Sequence, residues 1–589
     1  MRTLLLSLFV LQGCSCSGPV LETRDAGGTD APLPSDGGGT DAERLDGGPD
    51  GGRLDGGGAD AGPAGPCGEG SCTAPAWRWD RTLGSDGSDQ GLAVAVDGAG
   101  NAIVTGEFQG EINLGGGWRS SAGFRDTFVV SYGPDGSWRW DRTFGSSSPS
   151  AVAVDGEGNA VVSGGFEGTT DFGGGARTSA GALDAFVASY GPDGSWRWDR
   201  TFGEASDDAG AGVAMDGDGN AVVTGRFRGA VDLGGGVRTS AGDSDVLVAS
   251  YGPDGSWRWD RTFGAGSLDQ GFGVAVDAAG NAVVGGQLSG TVDLGGGPRT
   301  SVGLFELFVA SYDADGGWRW DRTFGAGLFS QRLGVAVDGA GHATVTGAFR
   351  TTVDLGGGPR TSDEWRAFVA SYDRDGGWRW DRSFAASDAW GVTVDGAGDT
   401  VVTGRFQGTA DFGGGLRTET GGAVFVASFG SDGSWRWDHV FAGGVGDTGN
   451  GVAVDPRGNA VVTGSFHDTV GFGGGARTSA GGSDAFVLSL GCACPCRPER
   501  VSFPMGGELS PGALCDDVVV CVSDDAAAAR VLAASSSFVC DSPDGLCCQY
   551  REGGTGGGPA VLDASEIAEI CAVTMLEPAP DSITCVVYL

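Results

Sequence analysis

Apolar and polar residues alternate in short stretches along most of the chain, and the same stretches return in the same order. In one copy, WRWDRTFG leads to FGVAVD, then GNAVVGGQLSG, then TVDLGGGPRTS and finally LFVASY. A period of two predicts β-strands, and no stretch of this region has the period of a helix. The alternation predicts that Trp257, Trp259 and Arg261 share one face of a strand, with the intervening residues on the other.

The WRW segment occurs seven times at intervals of about 60 residues, with its first tryptophan at Trp77, Trp138, Trp196, Trp257, Trp318, Trp378 and Trp435. Self-similarity at this period indicates a propeller, a solenoid or an array. The turn YGPDGSW joins FVASY to SWRWD as an antiparallel hairpin, and VDGAGNAVV joins VAVD to NAVV. Each repeat therefore contains four strands, and TVDLGGGPRTS is either a fifth short strand or a long connection.

The two ends of the repeat region complement each other. The first copy begins with WRWDRTLG and lacks a preceding FVASY partner, whereas the last ends with DAFVLSLG and lacks a following WRW strand. If 486–490 pairs with 77–83, seven complete sheets form a ring without exposed strand edges. The sequence predicts an all-β fold, a seven-bladed β-propeller of about 60-residue repeats over 77–491.

The repeated pattern GVAVDxxGNAVVTG…DAFVASYxxDGSWRW resembles the bacterial seven-bladed β-propeller repeat family (SBBP-type repeats) of exported proteins. The resemblance covers 77–491 and recurs seven times. It implies a propeller on a secreted or envelope-associated protein, often beside other surface modules. The family has no general catalytic motif, so the resemblance leaves activity open.

The chain begins with a charged residue and a short apolar run that ends in Leu11-Gln12-Gly13-Cys14. The run is too short to span a bilayer and is typical of a signal peptide. Because its end resembles the bacterial lipobox, we expect 1–13 to be a lipoprotein signal peptide and Cys14 to carry the lipid anchor. The alternative is an ordinary signal peptide. Ser15 favours the outer membrane or cell surface over the inner membrane.

Two further segments flank the propeller. Residues 14–66 form an acidic Gly/Asp-rich tether that cannot bury enough apolar surface to fold, and 67–76 form a small loop closed by Cys67 and Cys72. Residues 492–589 predict a small disulfide-rich domain with one helix at 563–576. We expect disulfides rather than zinc, because separated C-x₂₋₄-C pairs are missing. The domain's cysteines are Cys492, Cys494, Cys496, Cys515, Cys521, Cys540, Cys547, Cys548, Cys571 and Cys585.

Charge excludes some classes of partner. The formal net charge is −39 at pH 7 and the chain contains no lysine, so phosphate-rich nucleic acid would be repelled. The LGGGxRTS segments lack the lysine of a phosphate-binding loop and are predicted to be turns. We expect a monomer whose only membrane partner is its lipid anchor, with a protein or glycan as ligand.

Candidate chemistry within the repeats is sparse. The segment Asp216 to Asn220, with Asp218 between them, spaces oxygen ligands as a calcium loop begins, but no downstream glutamate completes it. Turn capping is the favoured alternative, so no cofactor is predicted and calcium is kept open. The repeated aspartates at Asp97, Asp155, Asp216, Asp277, Asp338, Asp395 and Asp455 have the same explanation. The three histidines, His342, His439 and His467, occupy drifted repeat positions or a variable loop.

Three tryptophans fall outside the WRW segments, Trp118, Trp365 and Trp390, in parts of the repeat that vary. Variable loops on a rigid scaffold often bind partners, so these residues are weak binding candidates. The WRW tryptophans are expected to pack between blades. Together these features predict a non-catalytic binding module of the cell envelope. A structural or adhesive display protein is the alternative, and a carbohydrate-active enzyme is a distant one.

Overall fold

The computed structural model describes residues 75–491, except 124, 326–327, 331 and 386–387, and the backbone of six short strands outside that range. The chain divides into two compact units, of which one spans Cys72–Ala493. In the other, the short strands form one sheet. Within the described residues, no helix is long and apolar enough to cross a membrane. The short strands are Leu6–Leu11, Glu499–Val501, Val519–Cys521, Phe538–Val539, Cys547–Tyr550 and Ile583–Tyr588.

The larger unit is a ring of seven antiparallel sheets, which confirms the predicted propeller. The inner strands are Gln90–Val96, Ser147–Val154, Ala209–Met215, Gln270–Val276, Leu328–Phe329 with Gly334–Val337, Asp388–Val394 and Thr448–Val454. The second strands are Ala102–Phe108, Ala160–Phe166, Ala221–Phe227, Ala282–Leu288, Ala343–Asp354, Thr400–Asp411 and Ala460–Phe466. The third strands are Asp126–Tyr132, Asp184–Tyr190, Asp245–Tyr251, Glu306–Tyr312, Pro359–Tyr372, Leu416–Phe429 and Asp484–Gly491. The outer strands are Trp138–Phe144, Trp196–Phe202, Trp257–Phe263, Trp318–Thr323, Trp378–Phe384, Trp435–Ala442 and Ala76–Leu83.

The last outer strand comes from the beginning of the repeat region. Ala76–Leu83 pairs with Asp484–Gly491, with Thr82 opposite Phe486. Blade 7 therefore combines strands from both ends of the propeller, as the sequence predicts. This closure gives blade 7 its fourth strand, so no long sheet edge is exposed at this point of the ring.

The segment TVDLGGGPRTS and its equivalents form a small hairpin between the second and third strands. In blade 4 the hairpin strands are Thr291–Asp293 and Pro298–Thr300, and in blades 5 and 6 they continue directly into the long strands. Antiparallel order places these hairpins and the outer-to-inner loops at one end of the ring, the hairpin face. The DGAGN and GPDGS turns lie at the other end. The remaining hairpin strands are Glu111–Asn113, Trp118–Ser120, Thr169–Asp171, Ala176–Thr178, Ala230–Asp232, Val237–Thr239, Thr469–Gly471 and Ala476–Thr478.

A β-bulge divides each WRW segment. Trp257 pairs with Tyr251, and Trp259 pairs with Ser250, the residue next to Tyr251. Arg258, between the two tryptophans, therefore has no cross-strand partner. The bulge turns Trp257 to the face of Asp260, to which its indole donates a hydrogen bond. The predicted face shared by Trp257, Trp259 and Arg261 is therefore wrong for the first tryptophan.

The core lies between blades rather than within them, because each sheet presents both faces to its neighbours. One cluster joins Val187 of blade 2 to Val223 and Tyr251 of blade 3, all buried. The Tyr251 hydroxyl donates to the carbonyl of Leu233 at 2.9 Å, which ties the hairpin to the third strand. Equivalent packing repeats at the other junctions and gives the ring a continuous apolar layer.

Candidate functional site

Each blade fixes its hairpin to its outer strand with a group that we call the rim clamp, consisting of the first WRW tryptophan, the WRWD aspartate and the hairpin arginine. In blade 3, Trp257 Nε1 donates to Asp260 at 3.0 Å, and Arg238 Nε donates to the same carboxylate at 2.6 Å. The indole lies against the glycine backbone at Gly234 and Gly235, where a Cβ would collide with it. All seven blades contain this group. The clamp is structural.

The second WRW tryptophan joins neighbouring blades. Trp259 Nε1 donates to the carbonyl of Ala314 in the next blade at 2.9 Å, and Arg261 donates to Gly316 at 2.8 Å. Blade 7 has no such turn, because its third and outer strands come from different ends of the repeats. There His439 replaces the arginine, and its Nε2 donates to the carbonyl of Pro75 at 2.7 Å. His439 therefore belongs to the ring closure.

The aspartate of each DGAGN turn caps that turn. Asp216 Oδ1 accepts from the backbone N–H groups of Asp218 and Asn220, and Oδ2 accepts from the Asn220 amide at 2.8 Å. His342 makes the corresponding contact with Asp338 at 2.7 Å. In the part of the chain that the structure describes, no group of three or more His, Cys, Asp or Glu side chains is arranged to hold a metal. Calcium at Asp216 stays a prediction, beside a geometry typical of turn capping.

Large apolar side chains are exposed on the hairpin face of blades 4 and 5. Leu304 is 85% exposed, Val302 72%, Trp365 40% and Phe305 37%. At the positions of Leu304 and Phe305, blade 3 has Asp-Ser and blade 7 has Gly-Ser. Trp118 is also exposed, but it lies on the hairpin of blade 1, three blades from blade 4. Trp365 thus lies on the blade that follows Val302, Leu304 and Phe305, whereas Trp118 lies on a blade that does not adjoin them.

Trp390 lies one blade further, on the inner strand of blade 6, where a bulge leaves it without a cross-strand partner. The Arg332 guanidinium of blade 5 stacks over its ring, 4.7 Å from the centroid. Asp388 accepts hydrogen bonds from Trp390 and Ser330, and burial raises its pKa while Arg332 lowers it. Trp365 and Trp390 therefore lie on neighbouring blades, and Arg332 is a residue of this surface that sequence reasoning missed.

Pairs of buried carboxylates occur at three blade junctions on the same face and were not predicted. Asp89, Asp208 and Asp269 are fully buried, and each donates its backbone N–H to the residue preceding a second buried aspartate. The second members are Asp484, Asp184 and Asp245. Burial raises the pKa of Asp89, Asp208 and Asp269 to about 6, although backbone hydrogen bonds act against the shift. The sequence signal was an aspartate before the inner strand together with one opening FVASY.

The lipid-anchor and disulfide predictions fall beyond the described side chains. Cys14, the tether at 14–66, Cys67, Cys72 and the predicted helix at 563–576 lie outside the described residues, as do most cysteines of 492–589. Cys521, Cys547, Cys548 and Cys585 lie on described strands, but only their backbone is described. The signal peptide, the anchor and the disulfide-rich domain therefore stay predictions.

No protein-family model and no curated protein matches the chain. Among solved structures, the Dos1 propeller is similar at 9% identity and TM-score 0.36, over 70% of this chain and 95% of that one. A polysaccharide lyase of family PL25, an ulvan lyase, gives 11% and 0.34, over 65% and 93%. The quinohemoprotein alcohol dehydrogenase from Comamonas testosteroni gives 10% and 0.35, over 78% and 80%. At these values the likeness carries no argument about activity, and membership of the SBBP-type family stays a prediction.

Proposed function

We propose that the propeller is a non-catalytic binding module for a protein or glycan, held at the bacterial cell envelope by a lipid anchor on Cys14. The observation that supports this function is the exposure of four large apolar side chains on the hairpin face of the neighbouring blades 4 and 5, namely Val302, Leu304, Phe305 and Trp365. Large exposed apolar surfaces on soluble scaffolds commonly mark sites of interaction. This one departs from the repeat, whereas the rim clamps and turn caps follow it.

The Arg332–Trp390 pair extends the proposed site toward the centre of the ring. An aromatic ring with a guanidinium beside it can contact both the apolar and the polar groups of a ligand. The buried carboxylate pairs are less suited to catalysis, because they lie between blades and most of their oxygens, such as both of Asp89, accept backbone N–H groups. We therefore favour binding over hydrolysis.

A binding screen of the full chain, solubilised in detergent, against glycans and envelope fractions tests this function. We expect saturable binding that the double variant Leu304→Ser/Trp365→Ala weakens at least about tenfold, since two anchor side chains would be lost. The matched control is Val237→Ser/Leu416→Ser, which removes equally exposed apolar side chains from hairpins of blades 3 and 6. Absence of any binding, or equal loss in both variants, would favour the display role.

A further inference from the structure

The carboxylate pairs differ from every other group of buried acids in the ring. The rim-clamp aspartates are buried, but each has an arginine partner, such as Arg238 for Asp260 at 2.6 Å. Throughout the described residues, no arginine or histidine pairs with Asp89, Asp484, Asp208, Asp184, Asp269 or Asp245. Two buried carboxylates side by side are costly unless a proton or a cation neutralises them.

The geometry at the junction of blades 7 and 1 brings the two acids onto a common point. A Cβ on Gly84 would lie 2.5 Å from Asp484 Oδ1 and 2.9 Å from Asp89 Oδ2. Asp484 is 4% exposed, and its Oδ1 has no hydrogen-bond partner. Since the other oxygen already accepts from the Ala480 N–H at 3.1 Å, the unpartnered oxygen is free for a ligand on the side of Asp89.

The same arrangement recurs at the junction of blades 3 and 4. Asp245 Oδ1 is buried and unpartnered, while its Oδ2 accepts from Ala241 N–H at 3.0 Å. The backbone N–H of Asp269 donates to the carbonyl of Ser244 at 2.8 Å, which fixes the two acids beside each other. Asp184 and Asp208 are linked by the corresponding backbone bond through Leu183. Both oxygens of Asp184, however, accept backbone N–H groups, from Ala180 at 2.9 Å and from Gly181 at 3.3 Å.

Three other junctions contain one acid each at these positions and act as internal comparisons. At the junction of blades 1 and 2, Asp126 faces a loop with Ser147 in place of the second aspartate, and both its oxygens accept backbone N–H groups. Glu306 does the same between blades 4 and 5. Between blades 6 and 7, His467 Nδ1 lies 3.6 Å from Asp447. Single acids are thus satisfied by protein groups, as is the Asp184–Asp208 pair, whereas the pairs at the junctions of blades 7 and 1 and of blades 3 and 4 each have an unsatisfied oxygen.

We propose that each carboxylate pair with an unpartnered oxygen binds one divalent cation, with calcium as the matching ion, at the junctions of blades 7 and 1 and of blades 3 and 4. Calcium takes six to eight oxygen ligands at about 2.3–2.6 Å, in flexible geometry. Two carboxylates supply part of that shell. Backbone carbonyls and water would supply the rest.

These sites are separate from the apolar surface of blades 4 and 5, so their failure and the failure of the proposed function are distinguishable. The predicted role is to join blades, because one acid follows the outer strand of a blade and accepts from the second strand of the next. Asp89, for example, accepts from the Gln109 N–H of blade 1 at 3.0 Å. A cation there would attach each blade to its neighbour.

Equilibrium dialysis of the chelator-treated full chain against radioactive calcium, at neutral pH, tests the proposal. We expect Asp484→Asn to lower the calcium stoichiometry by one, and Asp484→Asn/Asp245→Asn to lower it by two, relative to the unmodified chain. The asparagine oxygen can still accept the backbone N–H group. The control Asp126→Asn, at a junction with one acid, leaves the stoichiometry unchanged.

Stability gives a second readout that does not depend on the tether. Calcium is expected to raise the melting temperature of the unmodified chain and of Asp126→Asn, and to raise that of the double variant Asp484→Asn/Asp245→Asn much less. If the double variant binds as much calcium as the unmodified chain, the pairs share protons instead and the cation sites are refuted. Equal loss of calcium from Asp126→Asn would also refute them.

Discussion

Blades 3 and 5 are copies of the same repeat, but their inner strands differ in structure. In blade 3 the strand Ala209–Met215 is continuous, and Gly210 packs against Ser163 of the preceding blade. In blade 5 the strand is interrupted between Phe329 and Gly334, and Arg332 occupies the glycine position. The preceding blade has Gly285 where its neighbours have Thr or Ser, and Leu333 fills that space.

This difference distinguishes positions whose packing stabilises the ring from positions that no longer have this role. The rim clamp of blade 3 has a counterpart in blade 5, so the outer parts of both blades are under the same packing constraint. The inner strand is not, because a change at Gly285 lets Leu333 pack inward and directs Arg332 onto Trp390. Departures from the repeat at blades 4 to 6 therefore mark the surface to which we assign ligand binding.

The largest expected effect is on the feature that the two blades share. Asp260→Ala removes a buried carboxylate and leaves Trp257 Nε1 and Arg238 without their acceptor, so we expect a loss of about 3 kcal/mol in the free energy of unfolding. Asp381→Ala should cost the same in blade 5. Denaturant titration measures both. The control Asp243→Ala, which breaks the exposed pair with Arg228, should cost less than about 0.5 kcal/mol.

The next largest effect is expected where the Leu333 side chain packs against Gly285. Gly285→Thr restores the repeat residue, but its Cβ would collide with the Leu333 side chain, so we expect a loss of about 1–3 kcal/mol. Leu333→Ala in the same chain should recover part of that loss. A double-mutant cycle measures the coupling. Additive losses would show that the two residues do not share the space.

A smaller effect is expected where both blades are tied to their neighbours. Trp259→Phe keeps most of the apolar contact but removes the hydrogen bond to Ala314, at an expected cost of about 1 kcal/mol. Trp320→Phe, which removes the bond to Arg374, should cost the same. Thermal unfolding of the two variants compares them. A much larger cost for one of them would mean that its junction depends on more than this bond.

The smallest effect on stability is expected at Arg332. Because the Arg332 side chain is exposed, its cation–π contact with Trp390 and its attraction to Asp388 are screened by solvent, so Arg332→Ala should lower the free energy of unfolding by no more than about 0.5 kcal/mol. The same variant should weaken any ligand found in the binding screen, whereas Arg226→Ala in blade 3 should not. Unchanged binding in Arg332→Ala would remove this residue from the site.

Much of the fold could be predicted because it depends on counting and on period. Seven WRW segments and seven FVASY-type segments leave one unpaired at each end, so the pairing of Ala76–Leu83 with Asp484–Gly491 followed without any side-chain detail. The face of Trp257 could not be predicted in the same way. A bulge adds one residue to a strand, and alternation alone does not reveal where the period is interrupted.

The candidate site was predicted only in part. Trp365 and Trp390 were identified because they depart from the repeat, but Arg332 was missed, since its position depends on Gly285 in another blade. The carboxylate pairs were missed for a related reason. Asp89 and Asp484 lie at opposite ends of the repeats, and each one alone is an ordinary loop or strand-end residue. Only ring closure brings them together.

The closure also sets an order of events for folding. Ala76–Leu83 is the first strand of the propeller to be synthesised, and its partner Asp484–Gly491 is the last. Pairing these two strands closes a loop that contains every other blade, so this contact is the most non-local in the fold. We expect the loss of chain entropy that it requires to come last in folding. Until the seventh repeat has been made, the nascent chain lacks the strand that pairs with Ala76–Leu83, so a chaperone that protects this strand would have to remain bound until the full ring length is available.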